Sequence, residues 1–191
     1  ISGFNIIGYG IIGSPVSEIV TSRRIDLSIK NCRLSNGYSA IYFSKSSGTI
    51  ENIIFSWVYE PVFTFCMSDT CKPKLINCVI NMPIQSNSYA FVIGDGGRPT
   101  ITGNIFYRDE IDDSPKDAIM HVWNSPSKLI IKNNLFYGFK NGCTLPGYSV
   151  SDTSIVENNV FVYHHHWFSD KNGCIYIYLP NANAIIRNNI F

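Results

Sequence analysis

Two short segments near the middle of the chain carry residues that together could perform acid–base chemistry. The first contains Asp95 and Arg98, and the second ends in Lys116 and Asp117, with His121 four residues further on. A histidine titrates near neutral pH, so a histidine beside a carboxylate can move a proton. Arginine and lysine neutralise anionic groups, arginine through two hydrogen bonds. We therefore predict these five residues as a catalytic set acting on an anionic substrate. A solvated hydrophilic loop with a surface histidine is the alternative.

Two further segments carry residues of metal-binding type. His164 and His166 share one face of an extended segment, which is the geometry of a two-histidine metal pair, but a third ligand would have to come from a neighbouring loop. An exposed aromatic loop is the alternative. The acidic segment 109–117 offers oxygen ligands that suit Ca²⁺, although it lacks the alternation and the glycine of an EF-hand loop. No cofactor is thus established, and Ca²⁺ is the one that the sequence leaves open.

A phrase that recurs along the chain indicates which elements position these residues. Its seven copies are IKNCRL (29–34), IENIIF (50–55), LINCVI (75–80), ITGNIF (101–106), IKNNLF (131–136), VENNVF (156–161) and IRNNIF (186–191). The first asparagine position recurs about every 26 residues on average. An imperfect repeat of this length, rich in β-branched and aromatic residues, is typical of a solenoid in which each repeat is one stacked unit.

Within each repeat, apolar and polar residues alternate with period two, as short strands require. We predict three strands per repeat: a first such as Ala118–Trp123, a second such as Lys128–Lys132 and a third such as Leu135–Phe139. Gly, Ser, Asn and Pro recur every few residues and leave room only for short strands. The chain is therefore predicted to be all-β.

The repeated asparagine and phenylalanine have structural roles in this interpretation. Asparagine tolerates the left-handed conformation that a tight corner between strands needs. We expect one corner to be lined by asparagines whose amides bond along the axis: Asn133, Asn158 and Asn188. We also expect the phenylalanines three residues after the first asparagine position to form a continuous row inside the coil: Phe55, Phe106, Phe136 and Phe161.

These features resemble the pectate-lyase-like superfamily, especially its right-handed β-helix repeat group. The resemblance covers nearly the whole chain and implies a right-handed parallel β-helix of about seven turns of three strands, with an asparagine-ladder corner. It also implies a secreted or cell-surface protein that acts on polysaccharide, as a polysaccharide lyase or a glycoside hydrolase. The NTD, DD and GHG triplets of polygalacturonases and the DPH motif of alginate epimerases do not occur in the sequence. A carbohydrate-binding or adhesin module and a structural segment of a surface fibre therefore remain alternatives.

In that superfamily the substrate groove runs over the outer face of the first strand of each turn. We expect aromatic residues of these strands to bind sugar there: Tyr42, Trp123, Tyr176 and Tyr178. Alternation also places Thr144 on the outer face. His121 joins this face if Ala118, Met120 and Val122 point inward.

Composition narrows the class of partner. Charged residues make up 15% of the 191 residues and the net charge is +1, with no basic run, which argues against a nucleic-acid partner. No apolar stretch approaches the roughly 18 residues of a membrane span. We interpret residues 1–191 as one β-helix domain, an excerpt of a longer chain because it starts and stops inside a repeat. Its open ends would then accept end-to-end or cap contacts.

The six cysteines allow several arrangements. Cys66 and Cys71 flank a short loop and could close it with a disulfide. Cys143 and Cys174 end the same phrase, KNGC, and are expected at equivalent positions about 4.8 Å apart in adjacent turns. Cys32 and Cys78 are expected two turns apart and hence unpaired. Buried free thiols are the alternative for most of them, and no spacing fits zinc.

Overall fold

The structure, a computed structural model, describes residues 3, 5–7, 18–23, 26–36, 39–44, 47–56, 58, 60–65, 71–82, 89–93, 96–108, 117–121, 128–139, 141–145, 153–162, 174–177 and 183–191. Every helix or strand in these ranges is a β-strand, and the strands form three sheets of seven, paired in parallel. Each sheet takes every third strand of the chain, so the backbone winds as a coil. The predicted parallel β-helix is therefore confirmed. Among the described residues, no helix has the length and apolar character needed to cross a membrane.

The three sheets are named here by the order of their strands within a turn. The first-strand sheet contains Glu18–Arg23, Ser39–Ser44, Glu60–Phe65, Phe91–Ile93, Ile119–His121, Cys143–Leu145 and Ile175–Ile177. The second-strand sheet contains Leu27–Lys30, Gly48–Glu51, Lys74–Ile76, Thr100–Thr102, Ile130–Lys132, Ser154–Glu157 and Ala184–Arg187. The third-strand sheet contains Asn5–Ile7, Arg33–Ser35, Ile54–Ser56, Val79–Met82, Ile105–Arg108, Leu135–Tyr137 and Val160–Val162.

The corner between the second and third strands depends on a left-handed residue. Six asparagines at the first asparagine position have φ between 52° and 56°: Asn31, Asn52, Asn77, Asn133, Asn158 and Asn188. Gly103 takes the same position in one turn, with φ 69°. Asparagine and glycine are the residues that adopt this conformation most readily, so the predicted role of the first asparagine is confirmed.

The amide ladder, however, is formed by the second asparagine of each pair. Asn104 Nδ2 donates to Asn134 Oδ1 at 2.9 Å, Asn134 Nδ2 to Asn159 Oδ1 at 3.0 Å, and Asn159 Nδ2 to Asn189 Oδ1 at 3.0 Å. The prediction that Asn133, Asn158 and Asn188 form this ladder is wrong. Those three side chains are exposed, whereas the next residue along the chain points into the coil.

The four phenylalanines predicted to form a continuous row all lie inside the coil, but the row itself is interrupted. Phe55, Phe106, Phe136 and Phe161 are all buried, at most 3% exposed. The rings of Phe106 and Phe136 stack with centroids 4.9 Å apart, as do those of Phe136 and Phe161. Phe191 extends the stack at 5.4 Å. Ile80 stands between Phe55 and Phe106 in the same interior column, so the aromatic stack begins at Phe106.

The cysteines follow the expectations in part. Cys71 takes part in a disulfide, while its predicted partner Cys66 lies outside the described residues. Cys32, Cys78, Cys143 and Cys174 are free thiols.

Cys143 and Cys174 do not occupy equivalent positions. Cys143 pairs in register with Ile175, and the N–H groups of Gly142 and Cys143 both donate to the Cys174 carbonyl. The two cysteines are therefore offset by one residue, and the offset, which the shared KNGC phrase does not reveal, corrects the prediction that they are equivalent.

Candidate functional site

The best-defined polar group on the first-strand sheet is the carboxylate of Asp117. This residue is half-buried and lies two residues before strand Ile119–His121. Its Oδ1 accepts a hydrogen bond from Asn141 Nδ2 at 2.6 Å, and its Oδ2 accepts one from the Thr144 hydroxyl at 2.5 Å. Asn141 and Thr144 are 3% and 4% exposed. Both carboxylate oxygens are thus held by buried donors of the next turn.

The backbone beneath Asp117 explains why these donors reach it. The Ala118 N–H donates to the Asn141 carbonyl at 2.9 Å, which stacks the two turns in register. Gly142 then passes directly over the ring of Phe161. A Cβ at position 142 would stand 2.2 Å from that ring and 2.9 Å from the Cys174 carbonyl oxygen. Glycine is therefore required at position 142, and it brings Asn141 close to the carboxylate.

Tyr176 lies next to the group formed by Asp117, Asn141 and Thr144, in the following turn. Thr144 pairs in register with Tyr176, which is half-buried. Cys143 and Leu145, on either side of Thr144, are fully buried in the core, so Thr144 points to the outer face as predicted. Asp117, Thr144 and Tyr176 thus follow one another over three consecutive turns. The carboxylate of Asp117 can accept hydrogen bonds and the ring of Tyr176 can stack, which are contacts that sugars make, while the Thr144 hydroxyl is used to hold the carboxylate.

The negative charge of Asp117 also affects the pKa of a neighbouring thiol, that of Cys143. Burial raises the pKa of Cys143 well above its ordinary range, and the negative charge of Asp117 raises it further. A thiol with such a pKa stays protonated at neutral pH and is a poor nucleophile. Cys143 therefore packs as an apolar core residue beneath the site.

Arg98 belongs to a different corner of the coil. It is half-buried, lies two residues before strand Thr100–Thr102 and donates its N–H to the Cys71 carbonyl at 2.9 Å. It thus stands where the first strand passes to the second. Asp117 stands at the other end of the first strand. Because Asp95 and Lys116 lie outside the described residues, convergence of the predicted catalytic set stays a prediction.

The backbone of His121 lies in strand Ile119–His121 and pairs with Ile93, whose side chain is buried. The side chain of His121 itself lies outside the described residues. Ala118 is buried as expected, but Ile119 is fully buried as well. Strict alternation therefore fails at the start of this strand. Because the side chains of Met120 and Val122 also lie outside the described residues, the orientation of His121 stays a prediction.

The other predicted site residues are placed only in part. The backbone of Tyr42 lies in strand Ser39–Ser44 and pairs with Phe63, and its side chain lies outside the described residues. Trp123, Tyr178, His164, His166 and segment 109–116 also lie outside them. In the part of the chain that the structure describes, no three His, Cys, Asp or Glu side chains cluster as metal ligands would.

Asn141 is a site residue that the sequence interpretation missed. The signal was present in the phrase KNGC, which recurs at 140–143 and 171–174 and which we interpreted only for its cysteines. The asparagine of that phrase holds Asp117 in the first copy.

Comparison with known proteins agrees with this architecture. A protein-family model described as a right-handed β-helix region matches residues 10–191. Neither a curated protein nor a solved structure shows a significant match to the chain. The family match spans nearly all of the three-sheet coil and the Asp117 site. The chain belongs to the right-handed β-helix family.

Proposed function

We propose that the chain binds a polysaccharide across the outer face of the first-strand sheet and cleaves it as a polysaccharide lyase or glycoside hydrolase. Membership of the β-helix family fits a carbohydrate-active or adhesin-like protein. The observation that supports a site on this sheet is the carboxylate of Asp117, held through both oxygens by Asn141 and Thr144. Such a carboxylate has a defined orientation before any ligand arrives, as binding and proton transfer both require.

The neighbours of Asp117 suit a sugar chain that runs along the coil axis. Adjacent turns are about 4.8 Å apart, so Asp117, Thr144 and Tyr176 span about 10 Å. A tyrosine ring offers an apolar face for a sugar ring and a hydroxyl at its edge. Each carboxylate oxygen of Asp117 accepts one hydrogen bond from the protein and has a further lone pair. It can therefore also accept a hydrogen bond from a sugar hydroxyl.

Cleavage requires a group that moves a proton. In the proposed reaction Asp117 or His121 transfers the proton, while Lys116, next to Asp117 in the sequence, neutralises a uronate carboxylate. For a glycoside hydrolase, a second carboxyl group must stand roughly 5–9.5 Å from the first, and Asp95 carries the other carboxylate of the predicted catalytic set. The disulfide at Cys71 supports a secreted or cell-surface location, because disulfides persist mainly in oxidising compartments.

The test is an Asp117→Asn variant assayed on a uronate polymer. Asparagine keeps the shape of the side chain and can still accept from Asn141, so we expect the melting temperature to change little. Turnover, followed as unsaturated ends for a lyase or reducing ends for a hydrolase, should fall by about 10²–10⁴-fold. Unchanged turnover would exclude Asp117 from the reaction.

A binding assay separates the enzyme from the adhesin alternative. Tyr176→Ala should weaken polymer binding about tenfold, whereas the control Tyr137→Ala, on the third-strand sheet, should not. If the parent protein binds the polymer without cleaving it and Tyr176→Ala weakens that binding, the site is a non-catalytic carbohydrate-binding surface.

The fibre alternative is favoured by a separate surface. Six aliphatic residues follow one another in register along the outer face of the third-strand sheet: Ile54, Val79, Ile105, Leu135, Val160 and Ile190. Ile54, Ile105 and Ile190 are 47%, 42% and 64% exposed. An apolar column on the side of a rod suits lateral contact between rods. If it acts so, Ile105→Lys should abolish self-association in sedimentation velocity experiments.

A further inference from the structure

A polar pocket, separate from the Asp117 site, lies at the corner where the chain passes from the first-strand to the second-strand sheet. It has a volume of about 340 Å³ and spans three consecutive turns. Six polar residues line it, two from each turn: Asp26, Ser28, Ser47, Thr49, Lys72 and Lys74. Ser28, Thr49 and Lys74 are direct neighbours across the sheet. The pocket therefore presents a carboxylate at one end, hydroxyls in the middle and two ammonium groups at the other end.

Hydrogen bonds between turns hold the frame of this pocket. The Ser47 N–H donates to Asp26 Oδ1 at 2.8 Å, and the Lys72 N–H donates to the Ser47 hydroxyl oxygen at 2.8 Å. Gly48 lets the middle turn approach closely, because a Cβ there would stand 2.0 Å from the Leu27 carbonyl oxygen. The backbone of the pocket is thus ordered independently of a ligand.

The two lysines of the pocket repel each other. Lys72 and Lys74 are exposed and two residues apart in extended chain, so their side chains leave the backbone about 6.6 Å apart on one face. Among the described residues, neither forms an ion pair with a carboxylate. Like charges side by side cost stability, and an anion between them would remove that cost.

Lysines elsewhere on the same sheet are arranged differently. Lys30 pairs with Glu51 at 2.7 Å, and Lys132 pairs with Glu157 at 2.9 Å. In that column each lysine thus has a glutamate in the next turn, and the uncharged Ile76 and Thr102 separate the two pairs. Lys30 and Lys132 are therefore paired with glutamates of the same sheet, whereas the two lysines of the pocket face solvent.

The positive charge continues along the axis beyond the pocket. Thr100 pairs in register with both Lys74 and Ile130. Two residues before Lys74, Thr100 and Ile130 lie Lys72, Arg98 and Lys128. These three residues therefore occupy neighbouring positions in three consecutive turns. These three residues span about 10 Å along the coil. A ligand with anionic groups at that interval would meet Lys72 at one end and Lys128 at the other.

We infer that this corner binds an acidic oligosaccharide, separately from the Asp117 site. A carboxylate or sulfate group of the sugar lies between Lys72 and Lys74, and sugar hydroxyls bond to Ser28, Thr49 and Asp26. The Asp26 carboxylate selects for this class of ligand. It repels a compact multivalent anion such as inorganic phosphate but accepts hydrogen bonds from sugar hydroxyls.

Calorimetric titration at low ionic strength tests this site with three hexasaccharides. Oligogalacturonate carries carboxylates, a heparin-derived oligomer carries sulfates, and methyl-esterified oligogalacturonate carries no charge. We expect at least one charged oligomer to bind and the methyl ester to bind at least tenfold more weakly. The variant Lys72→Gln/Lys74→Gln should weaken binding of the charged oligomer at least tenfold. The control Lys30→Gln/Lys132→Gln removes the same charge from the same sheet and should leave affinity unchanged.

The inference is overturned if the parent binds neither charged oligomer, if both double variants weaken binding equally, or if the Lys72→Gln/Lys74→Gln variant binds like the parent. Asp117→Asn should leave intact the part of the binding that Lys72→Gln/Lys74→Gln removes, and Lys72→Gln/Lys74→Gln should leave the effect of Asp117→Asn on turnover intact. Failure at one site is therefore distinguishable from failure at the other.

Discussion

The corner between the second and third strands has different interior residues in the two halves of the chain. In the turns from residue 104 to 191 it contains the ladder Asn104, Asn134, Asn159 and Asn189, with phenylalanines stacked behind it. In the turns from residue 31 to 82 the ladder position holds Cys32, Ile53 and Cys78, and Leu34, Phe55 and Ile80 lie behind it. We call these the ladder half and the apolar half.

Both halves share the left-handed first residue and the same register of strands. The first residue of each pair therefore sets the backbone conformation of the corner. The second residue fills the interior and, where it is asparagine, also bonds backbone groups of the neighbouring turns. The halves meet where Asn104 Oδ1 accepts the Cys78 N–H at 2.8 Å. Four predictions test this division, from the largest expected effect to the smallest.

Phe136→Ala should cause the largest loss. Its ring is stacked between Phe106 and Phe161, and the cavity left behind should cost about 3–5 kcal/mol in the free energy of unfolding. The matched change in the apolar half, Ile80→Ala, should cost about 2–5 kcal/mol, toward the lower end because a smaller side chain is removed. Chemical denaturation of both variants measures the difference. A melt of Phe136→Ala that matches the parent would contradict burial of the stack.

Asn134→Ala should cost about 2–4 kcal/mol, because it leaves the Asn104 N–H and the Ile101 carbonyl without buried partners. The control is Asn133→Gly, which places at this exposed corner the residue that the chain itself uses at position 103. It should change stability by no more than about 0.5 kcal/mol. Equal losses in the two variants would show that the ladder adds nothing beyond the corner.

Cysteine reactivity should follow burial in both halves. Burial raises the pKa of Cys78 to about 11, so at pH 8 its thiol stays protonated and should resist iodoacetamide. Cys143 should resist as well, while the half-buried Cys174 should be alkylated first. Mass spectrometry of timed samples gives the order. Labelling of Cys78 before Cys174 in the folded protein would show that the apolar half opens readily.

The smallest effect concerns the charges outside the coil. Hydrogen bonds from Lys132 and Arg187 lower the pKa of Glu157. A lowered pKa means that the stabilisation is present at neutral pH and is lost as pH falls through the pKa of the folded state. Glu157→Gln should therefore melt below the parent at pH 7, and the gap should close as pH falls below about 4.

Glu51→Gln in the apolar half should produce a smaller gap than Glu157→Gln. Among the described residues Glu51 pairs with one lysine, and its side chain is 30% exposed against 11% for Glu157. Equal gaps for the two variants at pH 7 would show that the second partner of Glu157, Arg187, contributes nothing.

Periodic features were predictable from the sequence. The strands and the left-handed corner recur once per turn, and the buried phenylalanine recurs in five of the seven copies, so each copy repeats much the same local signal. A position that is occupied by asparagine or glycine in seven consecutive turns identifies a left-handed corner without any coordinates. Alternation likewise places Thr144 outside and Cys143 inside.

The tertiary structure alone decided features that depend on how one turn meets the next. Adjacent asparagines look alike in sequence, and only the direction of the backbone after the left-handed residue shows that Asn134 rather than Asn133 enters the coil. The loops differ in length from turn to turn, so counting residues does not give the offset of Cys143 from Cys174. The hydrogen bond from Asn141 to Asp117, and the pocket lined by Asp26 and Lys72, also involve residues of different turns. Repetition along the chain fixes the coil, but contacts across the coil need the register of strands that the folded structure supplies.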